Sequence, residues 1–200
     1  EWTRSAGSWT LVINQNPEVD LTVADACKTT TFIPTPADNT KYEYNWNGSG
    51  YGSETSKILT VPAGKNSASA TWSVSIKDKT NSCVSNSASV TATVYEKSDI
   101  TIAASVPNIC KNTQPVLNVT SITGDITEIT ANDVTLTTYE YDATAKTITL
   151  PAITAQTVYK VTVKNGVCDE MTATTTINVS DKPTITITAP APVCEENKFT

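Results

Sequence analysis

The sequence predicts an all-β fold of tandem antiparallel β-sandwich domains, and three observations support this class. Segments such as residues 72–76 and 159–163 alternate strictly between apolar and polar side chains, which is the pattern of a half-buried strand. Strand-like segments recur about every 8 to 12 residues between turn or proline signals, and none has the period of an amphipathic helix. The cysteines and their flanking segments also repeat at a fixed spacing, which indicates copies of one structural unit.

The five cysteines form two interleaved series that share one period. Cys27, Cys110 and Cys194 follow one another at intervals of 83 and 84 residues, and Cys83 and Cys168 are 85 residues apart. Threonine-rich apolar segments recur at the same positions relative to these cysteines. The repeating unit is therefore about 84 residues long.

Each unit contains the same elements in the same order. An opening strand leads to the first cysteine, and a later strand is stopped by Pro62 in one unit and Pro151 in the other. The alternating strand follows, then a turn that carries the second cysteine, then a Thr- and Val-rich return strand. In the second unit this turn contains the pair Asn165-Gly166, which favours a type I′ hairpin.

The period divides the chain into four parts. Residues 1–17 are expected to supply the last strand of a preceding repeat, 18–98 and 99–182 each to form one complete domain, and 183–200 to open a further, truncated repeat. The connections between units are only a few residues long, which predicts a semi-rigid array. We expect the incomplete ends to continue the sheets of the neighbouring complete domains, with residues 183–189 ordered against the second one and residues 195–200 loosely held. Pairing with a strand of another molecule is the alternative.

The residue types present exclude several classes of function. The chain has no histidine, so it contains no Ser-His or Cys-His nucleophile pair and no His-ligated metal or haem. Its 14 basic and 20 acidic residues give a net charge of −6, which provides no electrostatic basis for binding nucleic acid or an anionic membrane. No apolar run approaches the ~20 residues of a membrane-spanning helix. We therefore predict a protein that is not an enzyme and has no cofactor, no nucleic-acid partner and no membrane insertion.

The order of motifs resembles a known group of repeats. A first cysteine, Tyr44-Asn45-Trp46 with a Gly-rich loop, a strand ending near proline, an aromatic-x-Val-x-Val-like strand and an Asn-containing turn before the second cysteine follow one another in residues 18–98. This order resembles the immunoglobulin-like and PKD-like repeats of large secreted surface proteins in Bacteroidota, including gliding-motility adhesins and other cargo of the type IX secretion system. The resemblance implies tandem immunoglobulin-like antiparallel β-sandwiches. The second unit has no tryptophan at the place of Trp46, so no site is transferred to it.

The cysteines are predicted to form one disulfide within each complete domain. Cys27 is expected to pair with Cys83 and Cys110 with Cys168, because each pair joins an early strand to the last hairpin. Closing such a loop removes about 4 kcal/mol of unfolded-state entropy. Buried free thiols are the alternative, and the lack of histidine and of a CxxC motif disfavours zinc. Paired cysteines are typical of an oxidising compartment, which predicts an extracellular location.

The aromatic residues near the Gly-rich loop allow two interpretations. Trp46 shares one face of an alternating strand with two tyrosines, and Trp72 corresponds to Tyr159 of the other unit, so both tryptophans are expected in the cores. Tyr51 lies in the loop of residues 47–52, where a residue that stacks on a sugar or contacts a protein would be expected. If the aromatic residues do bind a ligand, Tyr51 and Trp46 are the candidate ligand-binding residues.

Acidic residues in the second unit raise the question of a calcium site. The side chains near one another in sequence are Asp125, Glu128, Asp133, Glu140 and Asp142. They supply the oxygen ligands that Ca²⁺ prefers, but their spacing matches no calcium loop. Solvated surface charge is the preferred interpretation, and no metal site is predicted.

These observations together predict a structural and adhesive segment of a long cell-surface or secreted protein. In this hypothesis neighbouring repeats of the same chain form a disulfide-stabilised rod that presents a distal binding region. The alternative is an immunoglobulin-like module that binds a surface glycan or a protein through the loop of residues 47–52. An enzyme that uses carboxylates alone is the least favoured class, because no carboxylate pair stands out as a general acid and base. Fold alone does not decide among these functions.

Overall fold

A computed structural model describes residues 2–5 and 8–189 of the chain. The described residues form strands, turns and irregular segments, and they include no helix that is long and apolar enough to cross a bilayer. Cys194 and the last part of the predicted truncated repeat lie outside the described residues. The predicted fold class is confirmed: the chain forms tandem immunoglobulin-like antiparallel β-sandwiches.

The first two strands pair with each other. β1 (Trp2–Ser5) pairs antiparallel with β2 (Ser8–Leu11), and the described residues show no partner for either strand in the sandwich that follows. The expectation that this segment continues the sheet of the next domain is therefore wrong. Each strand supplies hydrogen-bond partners to the other along one edge only.

The N-terminal sandwich packs a three-stranded sheet against a five-stranded sheet. Its strands are β3 (Asp20–Thr22), β4 (Ala26–Cys27), β5 (Thr29–Thr35), β6 (Tyr42–Trp46), β7 (Tyr51–Gly52), β8 (Lys57–Thr60), β9 (Ser67–Asp78) and β10 (Ala88–Tyr95). The strand orders are β3-β5-β8 and β4-β10-β9-β6-β7. Alternation along β6 and β9 places Tyr44, Trp46, Val74 and Ile76 in the core with Phe32.

The C-terminal sandwich repeats this arrangement with one additional strand. Its strands are β11 (Asp99–Ala104), β12 (Asn108–Cys110), β13 (Val116–Thr123), β14 (Asp125–Ala131), β15 (Val134–Thr135), β16 (Glu140–Asp142), β17 (Thr147–Thr149), β18 (Thr157–Lys164) and β19 (Met171–Ser180). The strand orders are β11-β13-β17-β16 and β12-β19-β18-β14-β15. Leu117, Ile129, Ile148, Tyr159 and Val161 are fully buried in its core.

In both sandwiches the chain changes sheets before it reaches the first cysteine. β3 and β11 pair antiparallel in the smaller sheet, whereas β4 and β12 cross to the larger sheet and pair parallel with its last strand. This places Cys27 opposite Tyr95 and Cys110 opposite Ser180. The first cysteine of each unit thus lies beside the carboxyl end of the last strand.

The segment after β19 differs from the expectation. Residues 181–189 form no strand, and Ile185 and Ile187 are each 89% exposed. The expectation that residues 183–189 are ordered against the second sandwich is therefore wrong. Alternation along these residues is present in the sequence, but an alternating segment becomes a strand only where a sheet edge supplies hydrogen-bond partners.

Candidate functional site at the junction between the sandwiches

The disulfide joins the two sandwiches to each other. Cys27 is bonded to Cys168, with their Cα atoms 5.0 Å apart and a sequence separation of 141. Cys83 and Cys110 are free thiols. The predicted pairings, Cys27 with Cys83 and Cys110 with Cys168, are therefore corrected.

Strand length explains why the predicted pairs do not form. Cys27 lies at the carboxyl end of β10, whereas Cys83 lies in the turn before β10 begins. The eight residues of β10 alone span about 25 Å at roughly 3.3 Å per residue. A disulfide requires Cα atoms within about 7 Å. The same argument separates Cys110 from Cys168, because the ten residues of β19 lie between them.

The junction is the contact between the carboxyl end of the N-terminal sandwich and the β18–β19 turn of the C-terminal sandwich. Its residues are Cys27, Lys28, Asn66, Tyr95, Glu96 and Ser98 on one side and Asn165, Gly166 and Cys168 on the other. Cys168 is only 1% exposed, and its sulfur lies 3.3 Å from the carbonyl oxygen of Glu96. Cys27 lies at the exposed margin of the same contact.

Asn165 uses both amide protons to hold the turn against the preceding sandwich. Its Nδ2 donates to the carbonyl oxygens of Asn66 and Glu96, at 2.8 Å each. Its backbone N–H donates to the hydroxyl of Ser98, a buried residue of the connection, at 3.0 Å. Hydrogen bonds to fixed backbone carbonyls set the orientation of the turn as well as its distance.

Gly166 allows the turn to approach Tyr95 closely. Its φ of +54° lies in the left-handed region, and a Cβ atom there would lie 2.5 Å from Cγ of the Tyr95 ring. The turn is closed by the Cys168 N–H, which donates to the Asn165 carbonyl at 3.0 Å. Asn165 does not have a positive φ, so the predicted type I′ turn is wrong. Glycine is required here for the contact with Tyr95 and for its own φ.

An ion pair lies at the margin of the junction. The Lys28 ammonium contacts the Glu96 carboxylate, and the Lys97 N–H donates to that carboxylate at 3.0 Å. The Lys28 side chain, followed by the Lys97 amide, holds the pKa of the Glu96 carboxyl below its usual value of 4.5. The backbone carbonyl of the same residue contacts the turn, through Asn165 Nδ2 and the Cys168 sulfur.

Titration of Glu96 is expected to follow Lys28. NMR titration should give this carboxyl a pKa below 4.5, and Lys28→Ala should raise it towards 4.5. Because the folded-state pKa is lowered, the stabilisation is present above pH 4.5 and is lost as pH falls through the folded-state pKa. The matched control is Lys111→Ala, since Lys111 follows Cys110 as Lys28 follows Cys27. An equal response to both substitutions would contradict the assignment.

Thiol labelling is expected to separate the described cysteines into two classes. Alkylation of the unfolded, unreduced chain should modify Cys83 and Cys110 and leave Cys27 and Cys168 unmodified. Peptide mapping should then recover a cross-linked peptide that contains Cys27 and Cys168. Recovery of a cross-linked Cys27–Cys83 peptide would contradict this assignment and support a disulfide within one sandwich.

The loop of residues 47–52 lies at the side of the N-terminal sandwich, on the edge formed by β7. Asn47 and Gly48 both have positive φ, and the Ser49 N–H donates to the Trp46 carbonyl, which defines a type I′ turn. The Asn47 Oδ1 atom accepts a hydrogen bond from the Ser73 N–H at 2.7 Å.

The C-terminal sandwich has an equivalent asparagine with the same hydrogen bond. The Asn132 Oδ1 atom accepts from the Val158 N–H at 2.9 Å, and Asn132 also begins a turn with positive φ. The repetition indicates that this asparagine holds the hairpin in place.

The two candidate ligand-binding residues lie on opposite faces of the sheet. Trp46 is 3% exposed, donates from Nε1 to the Glu54 carbonyl at 2.7 Å and packs edge-on against Trp72 at 6.2 Å. Tyr51 is 39% exposed and pairs with Asn45 on the outer face, with the Lys77 ammonium 5.8 Å from its ring centre. They form no common aromatic surface, so only Tyr51 is available to a ligand.

Three of the acidic residues in the C-terminal sandwich contact different partners and do not form one cluster. Glu128 accepts from the Thr135 hydroxyl, Asp133 lies 3.9 Å from the Lys160 ammonium, and Asp142 accepts from the Thr144 and Ala145 N–H groups. Within the part of the chain that the structure describes, no three His, Cys, Asp or Glu side chains are grouped as metal ligands.

The comparisons identify no family. No protein-family model matches the chain, and no curated protein matches it. Among solved structures it is similar to murine CEACAM1b, at 9% identity over 80% of this chain and 100% of that chain, with a TM-score of 0.48. It is also similar to immunoglobulin domains 1–4 of Sidekick-1, at 11% identity over 84% and 51%, with a TM-score of 0.46. A third is the Yersinia pseudotuberculosis adhesin InvE, at 13% identity over 80% and 59%, with a TM-score of 0.34. At these TM-scores the fold assignment depends on the strand order and not on the neighbours.

Proposed function

We propose that this chain is a non-catalytic structural and adhesive segment of a long cell-surface or secreted protein. Its sandwiches act as a disulfide-stabilised rod that presents a distal binding region. The observation that carries the proposal is the junction, where the Cys27–Cys168 disulfide and the hydrogen bonds of Asn165 join consecutive sandwiches. A covalent bond between units resists separation in a way that surface contacts alone do not.

The junction supports stiffness because it restrains several degrees of freedom at once. The connection between β10 and β11 is only three residues long, and its Ser98 is buried. The disulfide fixes a second point of attachment, and Asn165 fixes a third. Three separate attachments prevent both bending and twisting of one sandwich on the next.

The disulfide and the residue types support an extracellular, non-enzymatic role. Disulfides persist in oxidising compartments, which agrees with a secreted location. The chain has no histidine, which removes the commonest general base. The cell-surface location, and the resemblance to type IX secretion cargo and gliding-motility adhesins of Bacteroidota, belong to this proposal as its most specific form.

Residual dipolar couplings measured by NMR test the rod. In the oxidised chain both sandwiches should report one common alignment tensor, and the Cys27→Ser/Cys168→Ser variant should report two different tensors. Cys83→Ser/Cys110→Ser is the matched control and should keep the common tensor, because both residues are free thiols. Different tensors in the oxidised native chain would refute the rod.

The exposed ring of Tyr51 favours a second candidate function, binding of a surface glycan or a protein through the loop of residues 47–52. Glycan and protein arrays probed with the native chain and with Tyr51→Ala test it. Tyr139→Ala is the matched control, since Tyr139 is 40% exposed on the other sandwich. Saturable binding that only Tyr51→Ala abolishes would establish the binding module, and no loss on that substitution would exclude Tyr51 from it.

A further inference from the structure

The free thiol Cys110 occupies the same structural position as the disulfide-bonded Cys27. Cys27 ends a short strand that pairs parallel with the last strand of its sandwich, opposite Tyr95, and Cys110 ends the equivalent strand, opposite Ser180. The residue after each cysteine donates its N–H to the carbonyl of that opposing residue, at 2.8 Å for Lys28 and 3.0 Å for Lys111. Both cysteines are exposed. The backbone therefore presents Cys110 as it presents Cys27.

The residues around Cys110 also repeat those of the junction. Lys111 follows Cys110 as Lys28 follows Cys27, and Asp181-Lys182 follows β19 as Glu96-Lys97 follows β10. The carboxyl end of the C-terminal sandwich thus carries the cysteine, the lysine and the acid that the existing junction uses.

Two positions differ. The second sandwich has Ser180 at the position of Tyr95, and it has Pro183 at the position of Ser98, so it lacks the hydroxyl that accepts the Asn165 N–H in the existing junction. The Tyr95 ring requires glycine in the turn that docks on it. Because Ser180 has no ring, a turn that docks at that position does not need a glycine.

The complementary thiol lies at the opposite end of a sandwich. Cys83 is in the β9–β10 turn, where its carbonyl accepts from the Asp78 N–H, and Cys168 is in the equivalent β18–β19 turn. Each sandwich therefore has a receiving cysteine at its carboxyl end and a turn cysteine at the other end. Within one sandwich the two cannot meet, but between consecutive sandwiches they do.

We propose that Cys110 is the receiving half of a second inter-sandwich disulfide, whose partner is the turn cysteine of a further repeat of the same kind. The two thiols each lose a proton and together lose two electrons as the S–S bond forms. A disulfide oxidant such as glutathione disulfide takes both and leaves as two glutathione thiols. The inference extends the proposed rod and rests on it, in that every consecutive pair of repeats is then joined as this pair is.

A lengthened chain tests this inference: residues 1–183 followed by a second copy of residues 99–200. This keeps the native three-residue connection Asp181-Lys182-Pro183 between the second sandwich and the added one. The turn cysteine of the added sandwich, its own Cys168, then falls where the receiving Cys110 can reach it. After refolding in a glutathione redox buffer, alkylation and intact mass should show two disulfides in the monomer.

The matched variant carries Cys110→Ser in the first copy only, and it should lose one disulfide while the Cys27–Cys168 disulfide remains as an internal check on folding. An unchanged number of disulfides in this variant would overturn the inference, because the added sandwich would then have paired its own cysteines or none. Failure here is distinguishable from failure of the rod, since the dipolar couplings of the 200-residue chain depend on Cys27 and Cys168 and not on Cys110.

Discussion

Replacing Cys27 and Cys168 together by serine is expected to lower the summed free energy of unfolding by several kcal/mol and to separate the unfolding of the two sandwiches. The disulfide closes a loop of 141 residues, and the loss of that restraint corresponds to at most about 5 kcal/mol in the chain-entropy model. Removing both sulfurs avoids leaving one buried thiol unpaired. The effect should therefore appear in both sandwiches, because the loop contains most of each.

Tryptophan fluorescence and circular dichroism measure this separation. All four tryptophans lie at or before residue 72, so fluorescence follows the N-terminal part of the chain, whereas circular dichroism follows both sandwiches. In urea the two signals of the variant should have different midpoints. Cys83→Ser/Cys110→Ser is the control and should leave the free energy of unfolding within about 0.5 kcal/mol of that of the native chain, as is usual for surface changes. Equal stability of the two double variants would show that the disulfide contributes nothing.

The strands and the repeat could be predicted because their signals are local. Alternation in residues 72–76 and 159–163 depends only on which side chains face the core, and the structure places Val74, Ile76 and Tyr159 there. The core position of Trp46 followed from the same alternation. Each of these inferences needs the strand period and nothing about which strand lies beside which.

The cysteine pairing could not be predicted because it depends on non-local strand order. Spacing along a repeat places a first cysteine and a second cysteine in every unit, but it does not show at which end of the sandwich each one lies. The end at which Cys27 lies is decided by the parallel pairing of β4 with β10, which no local pattern in residues 26–27 predicts. The pair Asn165-Gly166 was visible as a turn, but its contact with Tyr95 requires knowing that the turn faces the preceding sandwich.

Substituting Gly166 by alanine is expected to destabilise the junction by about 2 to 5 kcal/mol. Part of this is the left-handed φ of +54°, which costs a residue with a Cβ atom roughly 1 to 2 kcal/mol. The rest is steric, because the new methyl group would lie within 2.5 Å of Cγ in the Tyr95 ring, and overpacking of this kind costs about 1 to 3 kcal/mol. Urea unfolding and the dipolar couplings should both report the change.

A double-mutant cycle with Tyr95→Ser separates the two contributions. Serine is the residue that the second sandwich has at this position, and it removes the ring without introducing a foreign side chain. In that background Gly166→Ala should cost only the φ contribution, which gives a coupling energy of about 1 to 3 kcal/mol between the two sites.

Gly64→Ala is the matched control, since Gly64 also has a positive φ but no atom lies within 4 Å of its Cβ position. It should cost the φ contribution alone, in either background. If Gly166→Ala cost no more than Gly64→Ala in the native background, Tyr95 would not require a glycine opposite it, and the hydrogen bonds of Asn165 and the disulfide would have to fix the orientation of the sandwiches by themselves.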